Sequence, residues 1–200
     1  MSGPRESAFH MRLFTAIELP TEVREHLANA TSQLLRRAIE HNVRKTATDN
    51  IHITLCFLGE VPDAQVPQLC DRFTTMTVEP ATVFANGFLF FPTRGRVRIV
   101  AAGFGGETER LVQLHARVEA ACIEMGFAAE PRSYQPHATI GRNSPGRYER
   151  VVGCLRNHEW KELWPGPSFQ VHSFALMQSD LRPSGPVYTR VAHFPLELLP

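Results

Sequence analysis

The chain is short of lysine. Of its 21 basic residues only Lys45 and Lys161 are lysines, the rest being arginines, and against 20 acidic residues they leave a net charge of +1. So weak a field excludes broad, sequence-blind attraction to duplex nucleic acid, and any affinity for a polyanion has to be local. Cysteine is scarce too. Cys56, Cys70, Cys122 and Cys154 contain no Cys-x-x-Cys pair, which removes the usual zinc and thiol-redox signatures. Each sits among apolar neighbours and reads as a buried free thiol, in keeping with a reducing cytoplasm. No apolar run is long enough to span a bilayer, and no apolar signal segment opens the chain, so no membrane is expected. There is no Gly-x-Ser-x-Gly elbow and no Gly-x-x-x-x-Gly-Lys-Ser/Thr phosphate loop. Residues 1–10 are polar and patternless and read as a flexible extension, with Met11 an alternative start and residues 11–200 a single domain.

What the chain does have is a repeated motif. Ile51-His52-Ile53-Thr54-Leu55-Cys56-Phe57-Leu58 is echoed by Pro136-His137-Ala138-Thr139-Ile140-Gly141-Arg142. In an extended strand, residues i and i+2 share a face. His52 and Thr54 should therefore project together while Ile51, Ile53, Leu55 and Phe57 line a buried face, and His137 and Thr139 should pair in the same way. The histidines lie 85 residues apart, and the same shift lays Arg12–Glu18 onto Val97–Gly103, both apolar and strand-like. Each half reads strand, long amphipathic helix, histidine strand, shorter helix, strand. Two copies of that order suggest two lobes about a pseudo-two-fold axis, with the motif strands facing each other across a shared cleft.

Between these landmarks, Thr21 is the expected cap of a helix running to about Glu40, His41–Asn50 reads as a polar turn, and Gly59 should end the first motif strand. A second helix is expected from Pro62 to about Met76. Ala81–Phe91 reads as one or two strands broken near Asn86-Gly87, Gly103–Gly106 as a bend, and Leu111–Met125 as a helix closed by Gly126. Arg147–Asn157 reads as a short helix. Phe169–Met177 and Tyr188–Phe194 read as strands joined by a loop over Ser179–Pro186.

A lone histidine on a strand or helix is usually just packed or solvated, and that reading suits His10, His26, His41, His115, His158, His172 and His193. His52 and His137 differ in being paired with threonine and with each other. A zinc site would need a third ligand, and the nearest carboxylate, Asp49, precedes its strand, so no metal is expected. Two imidazoles around one phosphate can divide general acid and general base work. Thr54 and Thr139 can hydrogen-bond its non-bridging oxygens, and Arg142 is the nearest guanidinium. Strict alternation puts Arg142 on the wrong face unless the strand ends or bulges at Gly141.

Together with RLFTAIELP, NIHITLCFLGEV, LHARVEAACIEMGF, YQPHATIGR and SDLRPSGPVYTRVAHFPL, these motifs resemble the 2H phosphoesterases, and among them the LigT-like RNA 2′,3′-cyclic phosphodiesterases, also called 2′-5′ RNA ligases. The resemblance spans about Arg12 to Leu196. It implies an α+β, bilobal fold, two pseudo-symmetric lobes with antiparallel sheets and outer helices around a central cleft, and no cofactor. It implies hydrolysis of RNA 2′,3′-cyclic phosphate ends to 2′-phosphomonoesters, with reverse 2′-5′ ligation as related chemistry. His52 matches the proton donor, His137 the proton acceptor, and Thr54, Thr139 and Arg142 the phosphate-binding positions. Val43-Arg44-Lys45-Thr46 stands where the family commonly has an aromatic residue, and Gln135 where it often has arginine. Phe14, Phe57 and Tyr134 are candidate base or ribose contacts, with core packing favoured for Phe57, which falls on the buried face of its strand. The expected partners are RNA or oligonucleotide ends, tRNA fragments among them, and the expected state is a monomer. A non-catalytic RNA-end-binding module and a dedicated ligase remain as alternatives.

Overall fold

The computed structural model describes residues 9–38, 43–93, 97–143 and 163–196. The strand expected over Arg12–Glu18 forms as β1 (His10–Glu18), with Leu13 to Ile17 all buried. Its Pro20 carbonyl, just beyond, accepts the first helical hydrogen bond, from the Arg24 amide at 3.0 Å. Thr21 is therefore the first residue of α1 (Thr21–Ala38) rather than its cap, and its hydroxyl accepts from the Arg24 guanidinium at 3.1 Å. Val23, Leu27, Ala30 and Leu34 form the buried stripe that their spacing predicts. α2 (Val66–Thr74) buries Val66, Leu69 and Phe73, and α3 (Thr108–Glu124) buries Leu111, Leu114, Val118, Ala121 and Cys122. Gly126, at φ +90°, closes α3 as expected.

The remaining strands are β2 (Val43–Lys45), β3 (His52–Pro62), β4 (Ala81–Phe91), β5 (Ile99–Gly106), β6 (His137–Asn143), β7 (Ser168–Val171), β8 (Ser173–Arg182) and β9 (Gly185–Pro195). They form one antiparallel, curled sheet in the order β7-β4-β5-β6-β3-β1-β8-β9, with β2 beside β6. The order is symmetric about the β6–β3 seam: β5 answers β1, β4 answers β8, and β7 answers β9. This is the α+β, bilobal arrangement expected. The lobes are not the two halves of the chain, however. β4 comes from the first half and pairs with β5, while β8 comes from the second half and pairs with β1. Likewise α3 packs on β3 and α1 on β6. Each half completes the other's lobe.

Several expectations are corrected. The motif strands do not face each other across a gap; β3 and β6 are neighbours in the sheet, hydrogen-bonded at a single matched pair, Ile53 and Ala138. Beyond that pair β3 leaves β6, and β2 takes its place along Gly141–Asn143. This is why His41–Asn50 is not simply a turn: an unpaired stretch of β6 recruits Val43–Lys45 as a strand, and a single 3-10 turn at Thr48–Asn50 follows. Gly59 does not end β3, which runs on to Pro62; the glycine sits at φ +73° beside a bulge. Gly103–Gly106 stays in β5 rather than bending away. A Cβ on Gly105 would lie 2.7 Å from the Phe84 ring, so the glycine lets two strands close over an aromatic side chain. Phe169–Met177 divides at His172, where the chain passes from β7 on one lobe to β8 on the other. Ser179–Pro186 is mostly the end of the β8–β9 ribbon, with paired residues as far as Arg182 and Gly185. The helix expected over Arg147–Asn157 lies outside the described residues, as does Cys154. Cys56 and Cys122 are buried and Cys70 is partly so.

Candidate active site

The seam places the two motifs. Ile53 and Ala138 are both 0% exposed on the helix-covered face. Their strand neighbours therefore project from the other face, and antiparallel pairing sets His52 opposite Thr139 and Thr54 opposite His137. All four side chains are partly buried. The ring of each histidine is tethered in the same way: Nδ1 of His52 lies 2.8 Å from the Asn50 carbonyl, and Nδ1 of His137 lies 2.8 Å from the Gln135 carbonyl. A carbonyl can only accept, so each Nδ1 carries a proton and each Nε2 is left as the exchangeable position. Asn50 and Gln135 are themselves 85 residues apart, so the tether is repeated with the motif. Nε2 of His52 lies 3.1 Å from the Thr54 hydroxyl.

The face of each strand switches one residue past its threonine. Thr54 and Cys56 are matched to the consecutive residues Ala16 and Thr15, which makes Leu55 an extra residue. Thr139 and Gly141 are matched to the consecutive residues Ala101 and Val100, which makes Ile140 extra. These two β-bulges are again 85 residues apart. Each turns two successive residues inward, Leu55 with Cys56 and Ile140 with Gly141, and returns the next to the histidine face. Arg142 thereby reaches the site face, as a bulge at Gly141 would require, and its charge helps to depress the basicity of both His52 and His137.

The same switch overturns the expectation for Phe57. Alternation assigns it to the core, but it is 66% exposed, because the bulge at Leu55 inverts the pattern beyond it. Phe57 lies 6.1 Å, ring to ring, from Phe14. Phe14 is 3% exposed and packs 5.0 Å from the His52 ring. Tyr134 stacks on His115 at 3.9 Å, so one face of its ring is covered, and its hydroxyl donates to the Thr54 carbonyl at 3.2 Å. His115 Nδ1 lies 2.9 Å from the Leu55 carbonyl. The two residues thus hold the carbonyls of Thr54 and Leu55, at the bulge. Burial pushes the Tyr134 hydroxyl up, keeping it a donor.

Sequence reasoning missed two neighbours of the histidines. Tyr188, from β9, meets His52 edge-on at 5.2 Å and Phe14 at 5.0 Å. Phe91, at the end of β4, lies 4.9 Å from His137. Neither lies near a motif in the chain, and only the swapped strands β8–β9 and β4 bring them in. Sealed between Phe14 and Tyr188, His52 loses hydration, and its pKa falls to about 4, with Arg142 and His137 adding to the drop and the Asn50 carbonyl and Glu18 opposing it. The pKa of His137 falls for the same leading reason, with Arg142 and Arg132 adding to it. Among the described residues no three His, Cys, Asp or Glu side chains group as metal ligands, and no helix is long and apolar enough to cross a membrane.

The family model for LigT like phosphoesterases matches residues 17–101 and 106–188, one segment in each half. The chain belongs to that family. It is 30% identical over 178 residues to the RNA 2′,3′-cyclic phosphodiesterase of Archaeoglobus fulgidus, a match covering 89% of this chain and 96% of the relative. It is 32% identical to the protein of the same name from Aeropyrum pernix, over 77% of this chain and 88% of that one. Among solved structures, a Thermus thermophilus protein superposes with a TM-score of 0.72 at 28% identity, covering 93% of this chain and 98% of its own. E. coli LigT complexed with 3′-AMP superposes at 0.75 and 24% identity, covering 94% and 99%. The fold is therefore that of LigT.

Proposed function

We propose that this phosphoesterase hydrolyses 2′,3′-cyclic phosphates at RNA ends to 2′-phosphomonoesters, with His137 as general base and His52 as general acid. The observation that carries the reading is the Ile53–Ala138 pairing, which sets two tethered imidazoles and two threonines on one face. The names of the Archaeoglobus and Aeropyrum relatives supply the substrate class. Nε2 of His137 takes a proton from water, the water oxygen bonds to phosphorus, the bond from phosphorus to O3′ breaks, and Nε2–H of His52 protonates the departing O3′. Thr54, Thr139 and Arg142 bind the non-bridging oxygens where charge develops. Burial and the nearby Arg142 lower the pKa of both imidazoles and favour their neutral forms, so the acid form of His52 arises when the anionic phosphate is bound beside it. With a 5′-hydroxyl in place of water as the nucleophile, the same step breaks the bond from phosphorus to O3′ and joins two RNA ends by a 2′-5′ linkage.

The test is to incubate the protein with adenosine 2′,3′-cyclic phosphate, with and without chelator. The expected product is adenosine 2′-phosphate at the same rate in both. Appearance of the 3′-phosphate, or no turnover, would overturn the assignment.

A further inference from the structure

The recruitment of β2 creates a pairing that the reaction above does not use. Arg44 of β2 is matched directly to Arg142 of β6, and matched residues share a face of the sheet. Arg142 is on the histidine face, so Arg44 is too. Val43 and Lys45 point the other way: Lys45 donates to Ser32 of α1 at 2.9 Å, and Val43 packs against the core. Both arginines are exposed, and among the described residues neither is ion-paired. Like charges set directly opposite each other in a sheet repel, and they stand here without a carboxylate between them.

Arg44 is also held in place. Its Nη2 donates to the Ser184 carbonyl at 2.8 Å, at the tip of the β8–β9 ribbon. Beside it the Asn50 side-chain amide donates to the Pro186 carbonyl at 2.7 Å. A guanidinium has five N–H donors, so the Ser184 bond orients the group and leaves most of it to a ligand. Arg44 lies one strand spacing, about 4.8 Å, beyond Arg142.

We propose that Arg44 binds a second phosphoryl group of the substrate, the one on the 5′ oxygen of the nucleotide that carries the cyclic phosphate, with Arg142 shared between the two. This rests on the cyclic phosphodiesterase reading and narrows it: the preferred substrate is an oligonucleotide end, whose 5′ oxygen carries the upstream phosphodiester, rather than a cyclic mononucleoside. A free 5′-phosphate has the same chemistry at the same place, so the two sources must be compared.

The experiment measures kcat/KM for three substrates: adenosine 2′,3′-cyclic phosphate, its 5′-phosphorylated form, and ApA ending in a 2′,3′-cyclic phosphate. For the intact protein the two substrates with a second phosphoryl group should exceed the first by about tenfold or more, mainly through KM. Preference for ApA alone assigns the site to the diester, and equal preference assigns it to either source. Arg44→Gln keeps an N–H for Ser184 but loses the charge, and should reduce the ratio about tenfold. Arg44→Lys should restore most of it, and the Gln variant should lower the salt slope of KM by about one. A ratio unchanged by Arg44→Gln would overturn the proposal. If the intact protein turns over none of the three, the cyclic phosphodiesterase reading fails by itself. Calorimetric binding of adenosine 2′,5′-bisphosphate against adenosine 2′-phosphate then decides the Arg44 site, with the same tenfold loss expected in the Gln variant and no change overturning it.

Discussion

The two halves of the site share a backbone and differ in their side chains. Each has a histidine tethered through Nδ1 to the carbonyl two residues earlier, a threonine beyond it and a bulge one residue further on. Past the bulge they part. The first half puts Phe57 on the site face and the second puts Arg142 there. The first histidine is enclosed by Phe14 and Tyr188, whereas the second has Phe91 on its flank and Arg142 on its own strand. Duplication therefore supplies a symmetric frame, and the residues after each bulge make one side apolar and the other cationic. A reaction that passes a proton in at one imidazole and out at the other needs that inequality, because two identical sites offer no reason for either to be the acid.

The largest break in the comparison should come from the histidines themselves. His52→Ala and His137→Ala should each lower kcat by about 10²–10⁴-fold while the fold survives, as read by turnover and circular dichroism. Wild-type rates in either variant would sink the paired-imidazole account. Arg142→Met should cost about 10²-fold or more. It should also move the pH–kcat/KM profile upward, because removing the cation relieves a charge that disfavours both imidazolium forms. A loss of rate with no shift would place Arg142 away from the histidines.

Next come the residues that hold the first bulge. His115→Ala strands the buried Leu55 carbonyl, and Tyr134→Phe leaves the Thr54 carbonyl without its donor. Each should destabilise by about 1–3 kcal/mol in chemical denaturation, with Tyr134→Phe at the lower end because its site is less buried. The last effect, spread over several pH units, tests enclosure. An imidazole held neutral by burial is favoured only while the unfolded chain's histidine is also neutral. Stability from His52 is thus fully present above pH 6.5 and declines as pH falls from there toward about 4. The slope over that window should flatten in His52→Gln, by roughly 3 kcal/mol at most across it. An unchanged slope would mean that Phe14 and Tyr188 do not keep water from the ring.

Phe57 and Arg142 show where reading along the chain stops working. Counting in twos from the histidine puts both on the buried face, and the count holds through Thr54 and Thr139. It fails at Leu55 and Ile140 because a bulge depends on the neighbouring strand contributing one residue fewer, and that strand is distant in the chain in each case. Gly141 hinted at the second bulge; nothing comparable marks the first, where Cys56 stands. β2 was illegible for a related reason. Val-Arg-Lys carries no strand pattern, and it pairs only because β3 leaves β6 after one residue. Tyr188 and Phe91 reach the histidines on strands that each half lends to the other lobe, which no local pattern records.

The amino-acid sequence alone determined most of the elements and their duplication, since apolar spacing at 3.6 and 2.0 residues and the 85-residue offset are properties of the chain read in order. It also named the two imidazoles and the two hydroxyls, because those lie within three residues of each other in each copy. Only the tertiary structure decided which side of the sheet Phe57, Arg142 and Arg44 occupy, how deeply His52 is enclosed and which strands meet at the seam. Those are set by hydrogen-bond register between distant segments, and register is fixed by what the whole sheet must bury.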